Sequence, residues 1–125
     1  MPTLVQAHQR VVEILVRQSR FSDAMAALDA ARQYGAADAN TLFYAGLVAG
    51  AQEQWHASIK YFEQSIQLDP KLAKSFLYLG RSLTYAQRYS DAETALAQAE
   101  ALGVAASEIA AARRDLAAAR ESGLD

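Results

Sequence analysis

Few side chains in this sequence have the types and spacings that catalysis requires. Its two histidines, His8 and His56, are far apart, and neither belongs to an HExxH zinc motif. The sequence also contains no glycine-rich phosphate loop, no serine elbow and no cysteine that could act as a nucleophile or bind zinc. We therefore expect no catalytic residue, no metal and no cofactor, and we predict that the protein is not an enzyme.

The closely spaced carboxylates have a structural interpretation. Asp91 with Glu93, and Glu63 with Asp69, fall at predicted helix starts or on exposed faces. Ser90 followed by Glu93 has the spacing of a capping box, in which both side chains bind free backbone N–H groups at a helix start. A paired acid and base in a closed pocket is not indicated.

Composition limits the class of protein. A chain of 125 residues with 52% hydrophobic residues predicts one globular domain over residues 1–125. The formal net charge is −2, whereas nucleic-acid binders usually carry a basic surplus, so we expect no nucleic-acid partner. Residues 1–10 lack the basic start and the continuous apolar stretch of a signal peptide, and no later apolar run approaches the roughly 20 residues that span a bilayer. We therefore expect a cytoplasmic protein without membrane insertion.

An internal repeat predicts the elements that would position any binding residue. The phrases "RFSDAMAALDAA" and "RYSDAETALAQA" begin at Arg20 and Arg88, and the related phrase "QWHASIKYFEQS" begins midway between them, at Gln54. The spacing of the three starting points matches the period of about 34 residues that is typical of one class of helical repeat. In each copy, small and apolar residues recur at helical spacing on both sides of a short turn, which predicts a pair of amphipathic helices.

The period predicts seven helices and no strand. Their expected bounds are 3–18, 22–34, 38–51, 55–67, 71–85, 89–102 and 106–121. The first six form three units, at about 5–38, 39–72 and 73–106, and the last, at about 106–121, is a capping helix.

Glycine and proline mark particular places in these units. Gly46 and Gly80 are predicted to let two helices approach without a Cβ between them. Gly35 and Gly103 are predicted to end the helices before them in a left-handed conformation. Pro70 is predicted to lie in the first turn of the fifth helix, where a missing N–H removes no intrahelical bond.

The units resemble the tetratricopeptide repeat, whose pattern is W-x2-L-G-x2-Y, then A-x3-F, then P. The second unit matches with "LFYAGLVA", Ser58, Phe62 and Pro70, and the third matches with "FLYLGRSL", Ala92 and Leu96. The first unit departs most, because a histidine and a valine occupy its large-aromatic and glycine places. The resemblance covers residues 5 to about 104 and implies an all-α, right-handed superhelix (α-solenoid) of three helix–turn–helix units plus the capping helix.

The resemblance also implies a binding site. In tetratricopeptide arrays the first helix of each unit lines a concave groove that typically holds an extended peptide or a partner helix. The matching places in this sequence are Gln9, Glu13, Arg17, Asn40, Phe43, Tyr44, Leu47, Lys74, Leu77, Tyr78, Arg81 and Tyr85.

The residues of the third helix support this site independently. Its core stripe is already supplied by Leu42, Ala45, Gly46 and Ala49. Phe43, Tyr44 and Leu47 then form a second apolar face, and aromatic and arginine side chains are enriched at binding hot spots. The alternative is that these aromatic side chains pack on the neighbouring unit.

The leading hypothesis is a non-enzymatic module that binds another protein, as an adaptor, assembly factor or small chaperone; some bacterial secretion chaperones are compact acidic arrays of this kind. The basic clamp of heat-shock chaperone adaptors is not matched, since its places hold Gln9, Glu13 and Leu47, although Lys74 and Arg81 remain available to a carboxylate. One alternative is a self-associating scaffold that uses a stripe on the first helix, Val5, Val12 and Val16. Another is the regulatory arm of a larger enzyme.

Overall fold

The structure, a computed structural model, describes the backbone of residues 4–33 and 38–122, and the side chains of these residues except 4–9, 31 and 32. The described residues form seven α-helices and no strand. The helices are α1 (Leu4–Arg17), α2 (Phe21–Gln33), α3 (Ala39–Ala51), α4 (Trp55–Leu68), α5 (Ala73–Tyr85), α6 (Tyr89–Ala101) and α7 (Ala106–Ser122). The predicted all-helical fold is confirmed, and every predicted bound agrees within two residues.

The helices pack in a repeating order. Each helix packs against the next one along the chain, and the odd-numbered helices also pack against one another, α1 with α3, α3 with α5 and α5 with α7. Within the described residues, α2, α4 and α6 do not pack against each other. This order is consistent with a helical repeat, and it places the odd-numbered helices side by side.

The turns within the helix pairs recur with the same period as the sequence. Ser19, Glu53 and Gln87 have positive φ angles of 57°, 60° and 65°. The N–H of the residue after each donates to the carbonyl five residues earlier, at 2.9 Å, which is the Schellman arrangement that ends a helix. Gly103 has a φ of 99° and ends α6 in the same way, as predicted, whereas Gly35 lies outside the described residues.

The aromatic residue, and not the serine, opens the second helix of each pair. α6 begins at Tyr89, so Ser90 lies inside its first turn, and the N-cap residue Arg88 makes no side-chain capping bond. The predicted capping box is therefore wrong. The reason is that the Schellman turn leads the chain into α6 one residue before Ser90. Glu93 instead accepts a hydrogen bond from Arg113 of α7 at 3.1 Å.

Pro70 lies in the connection before α5, which begins only at Ala73. The Leu72 N–H donates to the Asp69 carbonyl at 3.2 Å, and the Lys71 N–H donates to the Asp69 carboxylate at 3.0 Å. This is a β-turn with proline at its second position, which suits the fixed φ of the ring. The prediction that Pro70 lies in the first turn of α5 is wrong, because the β-turn that contains Pro70 precedes the helix.

Buried apolar side chains form two clusters that meet at one tyrosine. The first joins α1, α2 and α3 and includes Val12 and Leu28, and the second extends from α3 to α7 and includes Phe62 and Leu96. Tyr44 packs against both. The hydrophobic core is therefore continuous along the array.

Glycine sets the distance between the helices of the second and third pairs, as predicted. A Cβ built on Gly46 would lie 2.5 Å from a ring carbon of Phe62, and one on Gly80 would lie 2.7 Å from a methyl of Leu96. Both large side chains are fully buried. In the first pair Val12 takes the glycine place and is itself fully buried.

Buried serines join α3, α4 and α5. Ser65 Oγ lies 2.7 Å from the Ala39 carbonyl oxygen and 2.8 Å from Ser75 Oγ. Since Ser65 has one hydroxyl proton and donates it to that carbonyl, Ser75 must donate to Ser65. Ser58 and Ser82 repeat this chain of bonds, with a carbonyl of α3 3.0 Å from Ser58.

We expect the substitution Gly46→Ala to lower the free energy of unfolding by about 1–2 kcal/mol. The new methyl group overlaps the Phe62 ring, and this cost exceeds the gain in helix propensity of about 1 kcal/mol. Urea unfolding measures the change. The double variant with Phe62→Leu should lose less than the sum of the two single changes, and simple additivity would contradict the contact.

The direction of the serine chain gives a second prediction. Ser65→Ala leaves the buried Ser75 hydroxyl without its acceptor and should cost about 1–3 kcal/mol, whereas Ser75→Ala leaves Ser65 bonded to Ala39 and should cost about 1 kcal/mol or less. Chemical unfolding of both variants and of the double variant measures the costs. Equal costs, or a larger cost for Ser75→Ala, would show that the assigned direction is wrong.

Candidate protein-binding surface

The candidate surface lies on α1, α3 and α5. Each of these helices turns one face toward the buried clusters, and their mutual packing leaves other faces side by side. Two neighbouring clefts, both open to solvent, run along this surface. They share Leu47 and Tyr78.

The first cleft, here called the charged cleft, lies between α1, α3 and α5 and has a volume of about 380 Å³. It is lined by Glu13, Val16, Arg17, Phe43, Tyr44, Leu47, Lys74 and Tyr78. The second, here called the aromatic cleft, lies between α3, α4 and α5 and measures about 180 Å³. It is lined by Gly46, Leu47, Gly50, Ala51, Trp55, Ser58, Phe62, Tyr78, Arg81, Ser82 and Tyr85.

Lys74 is the central cation of the charged cleft. Its Nζ lies 4.6 Å from the centre of the Phe43 ring and 5.4 Å from that of Tyr44, which are cation–π distances. Burial lowers the pKa of Lys74, and the charge of Glu13 raises it in part. The lysine is therefore held over an apolar floor with a carboxylate nearby.

Tyr44 and the α1 ion pair complete the charged cleft. Arg17 and Glu13 form a salt bridge of 2.8 Å on the exposed side of α1. Burial raises the pKa of the Tyr44 hydroxyl, the Glu13 charge raises it further, and Arg17 lowers it. One carboxylate thus acts on both Tyr44 and the lysine, which places the three groups in one electrostatic cluster.

Stacked rings and one arginine form the aromatic cleft. Trp55 and Tyr85 stack with ring centres 4.5 Å apart and planes 13° apart. The Arg81 guanidinium carbon lies 5.5 Å from the centre of the Tyr78 ring. Arg81 Nε is buried and has no hydrogen-bond partner among the described residues. Arg81 as a whole is half-exposed and lines the cleft, and an arginine side chain in such a place can bind a carboxylate or a carbonyl oxygen of a partner.

The charge of the clefts is opposite in sign to that of the whole chain. The described lining residues include three cations, Arg17, Lys74 and Arg81, and one carboxylate, Glu13. The chain as a whole has a formal net charge of −2. The clefts therefore favour an anionic group.

Most of the predicted binding residues lie together on this surface. Those that line one or both clefts and are at least partly exposed are Glu13, Arg17, Tyr44, Leu47, Lys74, Tyr78, Arg81 and Tyr85. Asn40 is half-buried and lines neither cleft. The side chain of Gln9 lies outside the described residues.

Two predicted residues face inward and need correction. Phe43 is 4% exposed and forms only the floor of the charged cleft, and Leu77 is 3% exposed and belongs to the core. A partner on this surface cannot contact Leu77. The reason is that the odd-numbered helices pack against each other as well as against the even-numbered helices, so more than one face of each is covered.

The predicted valine stripe is not a surface stripe. Val12 is fully buried, Val16 is half-buried beside the charged cleft, and the side chain of Val5 lies outside the described residues. Val12 cannot contribute to an association surface, because it fills the glycine place against Leu28.

Sequence reasoning missed Trp55 as a cleft residue. Its place at the start of α4 matches Phe21 and Tyr89, which indicates a packing role in the turn. Its ring becomes part of a cleft because Gly50 stands beside it, with an added Cβ only 3.6 Å from the indole. The available signal was a tryptophan five residues after a glycine in α3.

Comparison with known proteins adds no family assignment, since no protein-family model and no curated protein matches this chain. In the part of the chain that the structure describes, no three His, Asp or Glu residues are placed to hold a metal ion. None of the described helices combines the length and apolarity needed to cross a membrane. The candidate surface is therefore interpreted from its own geometry.

The shared carboxylate gives a prediction for the charged cleft. We expect Glu13→Gln to lower the pKa of Lys74 further below its ordinary value and to lower the raised pKa of Tyr44, because the removed charge raises both. NMR titration of ¹³C-methylated lysines and ¹³C-labelled tyrosines measures both values. Glu63→Gln, an exposed carboxylate on α4, is the control and should change neither. Unchanged values in Glu13→Gln would show that the three groups do not share one cleft.

Proposed function

We propose that this chain is a tetratricopeptide-type array, with the right-handed superhelical arrangement of that family, and that it acts as a non-enzymatic protein-binding module. The period of the sequence repeat supports the family. The same period in the positive-φ turns and at Gly46 and Gly80 supports it further. The packing order of the odd-numbered helices is the one such an array requires.

The observation that carries the functional proposal is the meeting of the two clefts at Leu47 and Tyr78. It creates one strip of partly exposed aromatic and cationic side chains across four helices, α1, α3, α4 and α5. Tyrosine, tryptophan and arginine dominate binding hot spots, because they combine a large contact area with a few directed hydrogen bonds. A peptide or helix laid along the strip would contact both clefts.

The chemistry of the strip indicates what the partner segment carries. The volume of the aromatic cleft, about 180 Å³, is smaller than that of typical small-molecule sites, which is about 300–1,000 Å³. A cleft of this volume suits one apolar side chain. Arg81, which is half-exposed, lines the same cleft, and Lys74 lines the neighbouring one. The favoured segment therefore has an aromatic or branched aliphatic residue next to aspartate or glutamate.

This mode of recognition suits an adaptor, an assembly factor or a small chaperone. The groups that line the strip act by stacking, charge and hydrogen bonding, and these contacts hold a segment without changing its bonds. Binding of a segment that is disordered when free would order it on the array, as is usual for disordered segments that fold on binding.

Selection of peptides from a random displayed library tests the proposal. We expect wild type to enrich peptides with an apolar residue beside Asp or Glu, and Lys74→Glu and Arg81→Glu to bind those peptides at least about tenfold more weakly. Lys60→Glu is the matched control, because it reverses an exposed charge on α4, outside both clefts. Circular dichroism confirms that each variant is folded.

Two results would overturn the proposed function. The first is that folded wild type enriches no peptide family. The second is that Lys60→Glu weakens binding as much as Lys74→Glu and Arg81→Glu, which would move the binding surface away from the clefts.

A further inference from the structure

Gly50, in the last turn of α3, is a glycine that helix packing does not explain. A Cβ built on Gly50 would lie 3.3 Å from Ser58 Oγ and 3.6 Å from a ring carbon of Trp55. These contacts lack the overlaps of 2.5 Å and 2.7 Å that require glycine at Gly46 and Gly80. Since glycine also weakens a helix relative to alanine, its presence at this place needs another reason.

The missing side chain of Gly50 leaves the aromatic cleft deep. Besides Gly50, the cleft is lined by Gly46, Ser58 and Phe62, which lie where α3 packs against α4. Ser58 and Phe62 are fully buried as residues. The cleft therefore extends from the surface down to the contact between two helices, and any side chain at Gly50 would take up part of its space.

The third unit shows the same place with a side chain on it. The residue equivalent to Gly50 is Thr84, which is 4% exposed and donates its hydroxyl proton to the Gly80 carbonyl at 2.8 Å. The cleft beside it, between α5, α6 and α7, is lined by Thr84, Tyr85, Gln87, Tyr89, Ala119 and Ser122. This described lining does not include the residues that match the deep part of the aromatic cleft, namely Gly80, Ala92 and Leu96. The cleft is thus shallow where threonine replaces glycine.

The walls of the aromatic cleft favour an aromatic occupant. They contain two ring pairs, each with one ring from α4 and one from α5. The ring centres of Trp55 and Tyr85 are 4.5 Å apart, and those of Phe62 and Tyr78 are 6.2 Å apart. Aromatic side chains attract further rings at such distances, in offset or edge-to-face arrangements.

The volume of the aromatic cleft matches one carbon ring. It is about 180 Å³, and an apolar cavity of about 150 Å³ in a protein holds one benzene molecule. Arg81 is half-exposed and lines the same cleft, and a guanidinium group binds a carboxylate through two parallel hydrogen bonds. The matching occupant is therefore a phenylalanine ring with a carboxylate next to it in the partner.

We propose that Gly50 determines the specificity of the aromatic cleft, which takes the phenylalanine of a partner segment in which aspartate or glutamate is adjacent. Gly50 leaves room for the ring, and Arg81 binds the adjacent carboxylate. The inference rests on the proposed function and narrows it, because it selects phenylalanine from the apolar residues that the strip could contact.

Trp55 fluorescence tests the proposal directly, because Trp55 is the only tryptophan of the chain and lines the cleft. The probes are three acetylated peptide amides, Asp-Phe-Asp, Asp-Leu-Asp and Asp-Ala-Asp. Wild type should bind the phenylalanine probe at least about tenfold more tightly than the alanine probe, as burial of one large apolar side chain provides. It should bind the leucine probe at least about twofold more weakly than the phenylalanine probe, because leucine lacks the ring contacts.

Two substitutions of Gly50 test its role. Gly50→Thr, which copies the third unit, should bind the three probes within about twofold of each other, because its side chain fills the place of the ring. Gly50→Ala adds only one methyl group and should keep part of the preference. Ala97→Thr is the matched control, since it places threonine at an exposed position of α6 outside both clefts, and it should behave as wild type. Circular dichroism shows whether each variant is folded.

Two results would overturn the proposal. One is a wild type that binds the phenylalanine probe no more tightly than the leucine or alanine probe. The other is a full phenylalanine preference in folded Gly50→Thr or Gly50→Ala. The library selection separates this proposal from the proposed function: enriched acidic peptides without phenylalanine would contradict the role of Gly50 alone, whereas a phenylalanine preference without any enriched peptide family would contradict the proposed function alone.

Discussion

The close contact between a glycine backbone and a large side chain organises the second and third helix pairs. At Gly46 the Phe62 ring occupies the space where any other residue would place its Cβ, and at Gly80 the Leu96 side chain does the same. Such a contact fixes both the distance and the rotation of the two helices, because only one face of the odd-numbered helix offers a backbone without a side chain. Once that face is turned inward, Leu47 is carried to the surface of α3.

Hydrogen bonds between α3, α4 and α5 then fix the relative positions of the aromatic cleft and the charged cleft. Serine hydroxyls of α4 accept bonds from α5 and donate to carbonyls of α3, so each of the two chains of bonds holds three helices in one register. A slip of one helix would leave buried hydroxyl groups unpaired, which is costly. The register brings Tyr78 of α5 opposite Leu47 of α3, and the two clefts meet there.

The two ends of the array have different surface chemistry, and this difference follows from the same repeat. α7 is joined to α6 by ion pairs from Arg113 and presents charged residues outward. α1 instead presents Val11 and Ile14 at the places where the other units are buried. The outward surface of α7 is therefore polar and that of α1 is partly apolar, while the candidate binding surface lies on other faces.

The sequence by itself determined the helices, their repeat period and the two glycine contacts, because local spacing decides which residues share a face of a helix. It also identified most of the partly exposed residues that line the clefts. Only the tertiary structure decided which neighbour covers each face: Leu77 went into the core, Val11 and Ile14 stayed exposed, and Trp55 joined a cleft from another helix. Spacing along a helix carries no information about the partner across it, since burial depends on contacts between residues that are distant in the chain.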